Sequence, residues 1–206
     1  ARTPIGKFNG AFTPLRATDL ATVAMRGALD RAGLDPAEIS EVIFGHVIQA
    51  GQGQATARLA AANAGVPMRV PATVINKVCL SSMTAIQEAA RRIRLGEGSF
   101  YLTGGMESMT NAPYYLMAAR KGHRLGHSQA IDGMIWDGLW DHYNDFHMGN
   151  TGELVAEKYE VSREEQDAYA AESHRRAVAA QQSGGKNDQR NQDDQNGQAP
   201  AESRQT

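Results

Sequence analysis

Cys79 is the residue whose type and position point most directly to chemistry. It is the only cysteine among 206 residues, and it stands between an apolar run, residues 72–78, and a predicted helix, residues 81–95. The first N–H groups of a helix are unpaired and its dipole is positive there, so both favour the nucleophilic thiolate. Ser81 and Ser82 could cap this helix or donate a hydrogen bond to a nearby oxyanion. The alternative is a buried structural cysteine that packs as a small hydrophobic residue.

Two further groups of polar side chains are candidates for a site. His123 and His127 are four residues apart and could share a helix face as metal ligands, but no other ligand cluster joins them, so no metal site is predicted. Arg120, Lys121 and Arg124 form a small basic cluster, for which a solvated surface or an interface is the favoured interpretation.

Composition restricts the class of protein. Hydrophobic residues make up 41% and charged residues 21%, which allows a packed core. The formal charge is -2, without the basic excess expected of a nucleic-acid partner. No apolar run is long enough to span a membrane, and the opening residues lack the pattern of a signal peptide. With a single cysteine that suits a reducing compartment, we expect a soluble cytoplasmic protein.

Helix and strand patterns alternate over the first hundred residues. Strands are predicted at residues 42–48, 72–78 and 100–103, the first two buried. Helices are predicted at residues 19–32, 55–63 and 81–95, the first capped by Thr18 or Asp19 and ended by Gly33. The apolar face of the first helix is expected to contain Leu20, Val23, Ala24, Gly27 and Ala28. The apolar face of the third is expected to contain Met83, Ile86, Ala90 and Ile93. Such alternation predicts an α/β fold with a largely parallel sheet.

The remaining chain changes character twice. Residues 111–150 show weak periodicity, and so long an irregular stretch indicates a functional excursion. A capping box, Ser162 with Glu165, predicts a helix that runs to about Gln182. From residue 184 the composition is polar and of low complexity, which predicts a disordered tail to residue 206.

Several motifs in order resemble the thiolase family. Residues 76–86 around Cys79 resemble the nucleophilic-cysteine motif of that family. Residues 104–113, Gly-Gly-Met-Glu-Ser-Met-Thr-Asn-Ala-Pro, are a very specific match, and so is Asp-Gly-Leu at 137–139 followed by His-Met-Gly at 147–149. The resemblance covers about residues 1–183.

This resemblance implies a fold and a domain organisation. We expect an α/β, thiolase-like layered αβαβα half with a loop-domain insertion, the C-terminal half being missing. Residues 1–110 would form the N-terminal core, residues 111–183 the loop domain and the following helix that cover the coenzyme A site, and residues 184–206 the polar tail. The inner face left by a missing half is expected to expose a large apolar patch.

The resemblance also implies a reaction and its residues. Cys79 would accept an acyl group from acyl-CoA, with its backbone N–H helping to bind the thioester oxygen. The reaction would be the Claisen condensation of two acetyl-CoA molecules to acetoacetyl-CoA, or thiolysis of a 3-oxoacyl-CoA in reverse, within fatty acid metabolism. Leu139, His147 and Met148 would line the pocket for coenzyme A and the acyl group. Plain core packing for Leu139 and Met148, and a structural role for His147, stay open as alternatives.

Coenzyme A would be substrate and product, with no cofactor and no metal. The expected partners are acyl-CoA molecules and further copies of the complete chain as a homo-oligomer, with neither nucleic acid nor membrane.

The sequence also departs from the family pattern. The catalytic histidine of a Gly-His-Pro motif, a second cysteine and an oxyanion-positioning asparagine, which the family's second half supplies, are not found in these 206 residues. Ser82 stands where the family usually has glycine, and its Cβ could crowd the turn. The chain alone is therefore expected to be inactive. The competing hypothesis is a non-catalytic fragment that binds coenzyme A or is inert.

Overall fold

A three-stranded parallel sheet is the centre of the first part of the chain. The computed structural model describes residues 1–183. Three parallel strands, β1 (Glu41–Gly45), β2 (Ala72–Ile75) and β3 (Tyr101–Gly105), lie in the order β2-β1-β3. Because β1 is central, every one of its residues is buried. The predicted parallel α/β fold is therefore confirmed.

Helices cover both faces of this sheet, in the layers that the alternating pattern predicts. Helices α1 (Ala17–Ala32) and α2 (Thr56–Asn63) pack with the side chains of Val42 and Phe44 on one face. Helix α3 (Ser81–Arg94) packs through Ala85 and Ala89 against Ile43 on the other face. Successive residues of a strand point to opposite faces, so β1 serves both layers.

The helix boundaries agree with the sequence prediction within two residues, but the buried faces do not. Helix α1 ends at Gly33, as predicted, in the left-handed conformation at φ 60°. Its cap is Arg16, whose backbone N–H donates to the Asp19 carboxylate, and not Thr18 or Asp19. The helix buries Ala17, Thr18, Ala21, Thr22, Met25 and Leu29. The buried face is therefore displaced by about one residue along the sequence from the predicted face. Val23, which is predicted to be buried, is 61% exposed.

Helix α3 shows the same error more strongly. The expected apolar face leaves Met83, Ile86 and Ile93 about half exposed, whereas Ser81, Ala85 and Ala89 are buried. Small side chains let a helix backbone lie close to a sheet, and this close approach decided which face turned inward. The large apolar patch expected on the inner face stays a prediction.

The strand predictions need two corrections. The sequence predicts strands through residues 48 and 78, but β1 ends at Gly45 and β2 at Ile75. Strand β2 lies at an edge of the sheet and is only partly buried, so the expectation of burial on both faces is wrong for it. Residues 46–48 and 76–78 instead belong to the connections that form the site.

Short elements replace the irregular stretch predicted after residue 111. Strands β4 (Tyr114–Tyr115) and β5 (Ile131–Asp132) pair antiparallel. A π-helical turn covers Ile135–Leu139, and two-residue strands follow, β6 (Trp140–Asp141) and β7 (Phe146–His147).

Contacts between residues divide the chain into two units, Ala1–Trp140 and Asp141–Thr206. The second unit contains α4 (Met148–Lys158), which the sequence analysis missed, and α5 (Arg163–Ser183). The capping box is confirmed: the Ser162 N–H donates to Glu165 at 2.9 Å and the Glu165 N–H donates to Ser162 Oγ at 3.2 Å. The predicted polar tail, residues 184–206, lies outside the described residues. The predicted domain boundaries at residues 110 and 183 stay predictions.

Candidate active site

The site lies where the carboxyl ends of β1 and β3 meet the start of α3. A Cβ on Gly45 would lie 2.7 Å from Ser81 Cβ and from the Ser82 backbone nitrogen. A Cβ on Gly105 would lie 1.9 Å from Ser82 Oγ. Glycine at the ends of both strands is therefore what lets the first turn of α3 lie directly on the sheet. Ser82 is accommodated because Gly105 leaves room for its side chain, so its Cβ does not crowd the turn.

The turn that carries Cys79 is held in an unusual conformation. Val78 has φ 50°, a left-handed backbone that a β-branched residue adopts at a cost of about 1–3 kcal/mol. Two side chains impose it. The Val78 N–H donates to Asn76 Oδ1 at 3.0 Å, and Ser81 Oγ accepts from the Lys77 N–H at 2.8 Å while donating to the Val78 carbonyl at 2.6 Å. Strain of this kind persists only where the surroundings determine the backbone.

These bonds correct one prediction. Helix α3 begins at Ser81, its cap is Leu80, and no side chain caps it. Ser81 uses its hydroxyl to close the turn, so it neither caps the helix nor donates to an oxyanion. The turn presents Cys79 as an exposed thiol, which contradicts the alternative of a buried structural cysteine.

Cys79 opens onto a cleft of about 400 Å³ in the first unit. The cleft is built at the carboxyl ends of the parallel strands, from the connections that follow them and from the π-helical turn. Its lining consists of Gly45, His46, Val47, Ile48, Val78, Cys79, Ser81, Ser82, Gly105, Met106, Glu107, Met109, Gly138 and Leu139. In open α/β sheets this end of the strands is where ligands bind.

Glu107 and His46 are two cleft residues to which the sequence analysis gave no role. The Val47 and Ile48 N–H groups donate to the Glu107 carboxylate at 3.0 and 3.1 Å. Burial raises the pKa of Glu107, and these two hydrogen bonds oppose that rise. His46 is 1% exposed, and its Nδ1 lies 2.9 Å from Thr56 Oγ1. The sequence signal was present, because a carboxylate two residues after a strand-ending Gly-Gly falls at the end of the sheet.

The His46 Nε2 atom faces Glu107 without an aligned hydrogen bond. It lies 3.4 Å from Glu107 Oε1. Burial lowers the pKa of His46, which favours the neutral ring. The pair therefore lines the cleft with a carboxylate and with an imidazole that carries no charge near neutral pH.

Leu139 reaches the cleft through the π-helical turn. Tyr115 Oη donates to Asp137 Oδ2 at 2.5 Å, and burial together with this carboxylate raises the pKa of Tyr115 to about 12. The bond ties the turn to β4, and Gly138 of the turn lies beside Ile48. Leu139 thus lies in the same cleft as Cys79. Its contact with coenzyme A stays a prediction.

His147 and Met148 lie in the second unit, at the start of α4. His147 caps that helix, its Nδ1 accepting from the Gly149 N–H at 2.9 Å. Met148 is the first residue of the helix and is 40% exposed. The structural role proposed as the alternative for His147 is thus present, and for both residues the coenzyme A pocket stays a prediction.

The candidate metal ligands and the basic cluster lie in an exposed segment. His123 and His127 are in a loop and not on a helix face, and residues 120–130 are exposed throughout. Within residues 1–183, no three His, Cys, Asp or Glu side chains are grouped as a metal site requires. In the same residues, no helix combines the length and the apolar composition needed to cross a membrane.

The fold and the site define the class: an α/β protein that holds an exposed thiol in a cleft at the carboxyl ends of parallel strands. Residues 1–190 match the family model described as "Thiolase, N-terminal domain". The chain belongs to the thiolase family, which confirms the resemblance seen in the motifs.

Similar proteins are acetyl-CoA acetyltransferases from plants and bacteria. Acetyl-CoA acetyltransferase 2 of Arabidopsis thaliana is 52% identical over 184 residues, 89% of this chain and 46% of that protein. Acetyl-CoA acetyltransferase 1 of the same plant is 53% identical over 181 residues, 88% of this chain and 44% of the relative. The acetyl-CoA acetyltransferase of Pseudomonas aeruginosa is 47% identical over 183 residues, 89% and 47% of the two chains. The chain spans about half the length of the curated relatives it matches.

Proposed function

We propose that Cys79 accepts an acyl group from acyl-CoA as a covalent thioester. The observation that carries the proposal is the exposure of Cys79 in the lining of a cleft at the strand ends. The thiolate would attack the thioester carbonyl carbon, a new C–S bond to Sγ would form, and coenzyme A would leave as a thiolate that takes up a proton.

Backbone N–H groups are the available oxyanion donors. The backbone N–H of Cys79, just before α3, would help to bind the thioester oxygen, since Cys79 lines the cleft. Leu139, which lines the cleft, would pack on the acyl group or the pantetheine arm. We also propose His147 and Met148 as contacts of coenzyme A or the acyl group.

The whole reaction would be a Claisen condensation of two acetyl-CoA molecules, or its reverse, in fatty acid metabolism. In the condensation, a second acetyl-CoA loses an α-proton and its carbanion attacks the acyl-enzyme, with Cys79 leaving as the thiolate. The family's acid-base groups for the α-proton are a second cysteine and the histidine of Gly-His-Pro, and the 206 residues contain neither. We therefore propose that this chain supplies the acyl-accepting step and shows negligible condensation alone.

The proposal extends to the setting of the protein. Coenzyme A would act as substrate and product with no further cofactor, and the complete protein would form a homo-oligomer. A single exposed cysteine suits a reducing compartment, and we propose the cytoplasm on that ground.

Intact-mass spectrometry after incubation with acetyl-CoA tests this proposal. We expect one acetyl adduct on the unmodified chain and none on Cys79→Ala, with Cys79→Ser as a control that keeps a polar atom in the turn. An adduct that survives in Cys79→Ala would place the chemistry elsewhere. No adduct on a chain that circular dichroism shows to be folded would favour the inert or merely coenzyme A-binding fragment.

A further inference from the structure

Glu107 is connected to the thiol turn by a continuous series of hydrogen bonds. Its carboxylate accepts from the Val47 N–H at 3.0 Å, and the Val47 carbonyl accepts from Asn76 Nδ2 at 3.4 Å. Asn76 Oδ1 in turn accepts from the Val78 N–H at 3.0 Å, and Val78 is the left-handed residue that precedes Cys79. Three bonds therefore join the end of β3 to the backbone next to the nucleophile.

The Glu107 carboxylate accepts hydrogen bonds just beyond the point where the backbone pairing of β1 with its neighbouring strands ends. The last ladder-like bonds beside β1 are the Met106 N–H to the Gly45 carbonyl and the His46 N–H to the Ile75 carbonyl, both at 3.0 Å. Beyond them, the N–H groups of Val47 and Ile48 would point into the cleft without a strand to pair with. Hydrogen bonds to an ionised acceptor are about twice as strong as neutral ones, so Glu107 holds this connection firmly.

The geometry explains why displacement at Glu107 should reach Cys79. Val47 is held on its N–H side by Glu107 and on its carbonyl side by Asn76, so it cannot shift without moving one of them. Asn76 is exposed, and its side chain has two assigned partners, Val47 and Val78. If Glu107 lets Val47 move, Asn76 loses its anchor, and the strained φ of Val78 is held by Ser81 alone.

We propose that Glu107 is a positioning residue that fixes the nucleophile turn through Val47 and Asn76, an inference that rests on the proposed acyl transfer at Cys79. In this role Glu107 acts through Val47 and Asn76. Its function is to keep the thiol in the orientation from which it can attack a thioester bound in the cleft.

A double-mutant cycle on acetyl transfer from acetyl-CoA to Cys79 tests this inference. We expect Glu107→Gln and Asn76→Asp each to slow acetylation about tenfold, because misplacing a reacting group by 1 Å can cost about 10²-fold. Asn76→Asp keeps an oxygen for the Val78 N–H and removes only the donor to Val47. Since both changes break one series, the double variant should be no slower than the slower single variant.

Glu41→Gln is the matched control, a change of the same type at the other end of β1. It should leave acetylation within about twofold of the unmodified chain, since sites without shared partners act independently. Three results would each overturn the positioning role. They are additive losses of acetylation rate in the double variant, an unchanged acetylation rate in Asn76→Asp, and an equal loss in Glu41→Gln.

Alkylation of Cys79 by iodoacetamide keeps the two proposals separable. This small neutral reagent needs little orientation, so in Glu107→Gln the alkylation rate should change less than the acetylation rate does.

If the unmodified chain takes no acetyl group, the acyl-transfer proposal fails. The positioning role is then read from hydrogen exchange of the Val78 amide, which should accelerate in both Glu107→Gln and Asn76→Asp. An unchanged exchange rate of the Val78 amide in either variant would overturn the positioning role. If Glu107→Gln does not fold, Asn76→Asp decides alone, because Asn76 is exposed: an unchanged Val78 exchange rate in that variant would overturn the role.

Discussion

The two ends of β1 are both closed by a glutamate, and the two glutamates are held in opposite ways. At the amino end, Glu41 forms an ion pair with Arg92 of α3 and accepts from Thr73 Oγ1 at 2.8 Å. At the carboxyl end, Glu107 is held by backbone N–H groups. The first arrangement joins side chains of neighbouring elements, whereas the second organises the connections around a cleft.

This difference separates stability from function on a single strand. An ion pair between a strand and a helix restrains packing and leaves the backbone of the connections free. A carboxylate bound to backbone N–H groups determines the course of the chain itself, which is what a positioned thiol requires. Changes at the amino end should therefore alter the free energy of unfolding alone, and changes at the carboxyl end should alter the reactivity of Cys79 as well.

Gly45→Ala should have the largest effect on stability, because it places a methyl group 2.7 Å from backbone and side-chain atoms of α3. Overpacking of this kind costs about 3 kcal/mol, and here it separates the helix from the strand end. Thermal unfolding measures the loss. Gly27→Ala, in the interior of α1 with Ala1 Cβ at 3.4 Å as the nearest atom, is the control and should raise stability by up to about 1 kcal/mol. Equal melting temperatures for the two variants would refute the close approach.

Gly105→Ala should cost about 2 kcal/mol because its methyl group would overlap Ser82 Oγ. Unlike the clash at Gly45, this one involves a side chain that can be removed. Adding Ser82→Gly should therefore restore most of the lost stability, a coupling of about 1–2 kcal/mol between the two positions. Urea denaturation of the four members of the cycle measures it. Purely additive changes would show that Ser82 and Gly105 do not share this space.

Arg92→Ala should lower stability by about 1–2 kcal/mol, since it leaves the nearly buried Glu41 carboxylate with Thr73 as its remaining described donor. Acetylation and alkylation of Cys79 should stay unchanged. Arg91→Ala is the control: its pair with Glu88 is exposed and 3.7 Å long, so the change should be close to zero. A fall in Cys79 reactivity in Arg92→Ala would remove the distinction between the two ends.

The smallest expected effect is a pH dependence at the carboxyl end. Burial lowers the pKa of His46 below 6.5, so the unfolded chain binds this proton more readily than the folded chain. The stability contributed by the neutral ring is present above pH 6.5 and is lost as the pH falls through the folded-state pKa. Glu107, whose pKa is raised, has the opposite sign: its contribution favours folding at lower pH. Between pH 7.5 and 5.5, His46→Gln should therefore lose less stability than the unmodified chain, measured by urea midpoints. An identical loss would show that His46 does not titrate in this range.

Local patterns predicted more of the fold than of the site. The boundaries of the first three helices, the parallel sheet and the capping box at Ser162 follow from periodicity and from contacts within four residues of the chain. Glu107 could not be assigned a role in this way, because its partners Val47 and Ile48 are about sixty residues away. Helix α4 was missed because its start, residues 148–152, contains two glycines that obscure a helical pattern.

The sequence by itself determined where the nucleophile stands, between a strand and a helix, since that depends on the order of short elements along the chain. Only the tertiary structure decided which face of α3 packs on the sheet, because small residues at Ala85 and Ala89 permit a closer approach than the more apolar face does. The tertiary structure likewise decided how Cys79 is held. The left-handed turn at Val78 is stable only with Asn76 and Ser81 folded onto it, and the link from Asn76 to Glu107 exists only after β1 and β3 have paired.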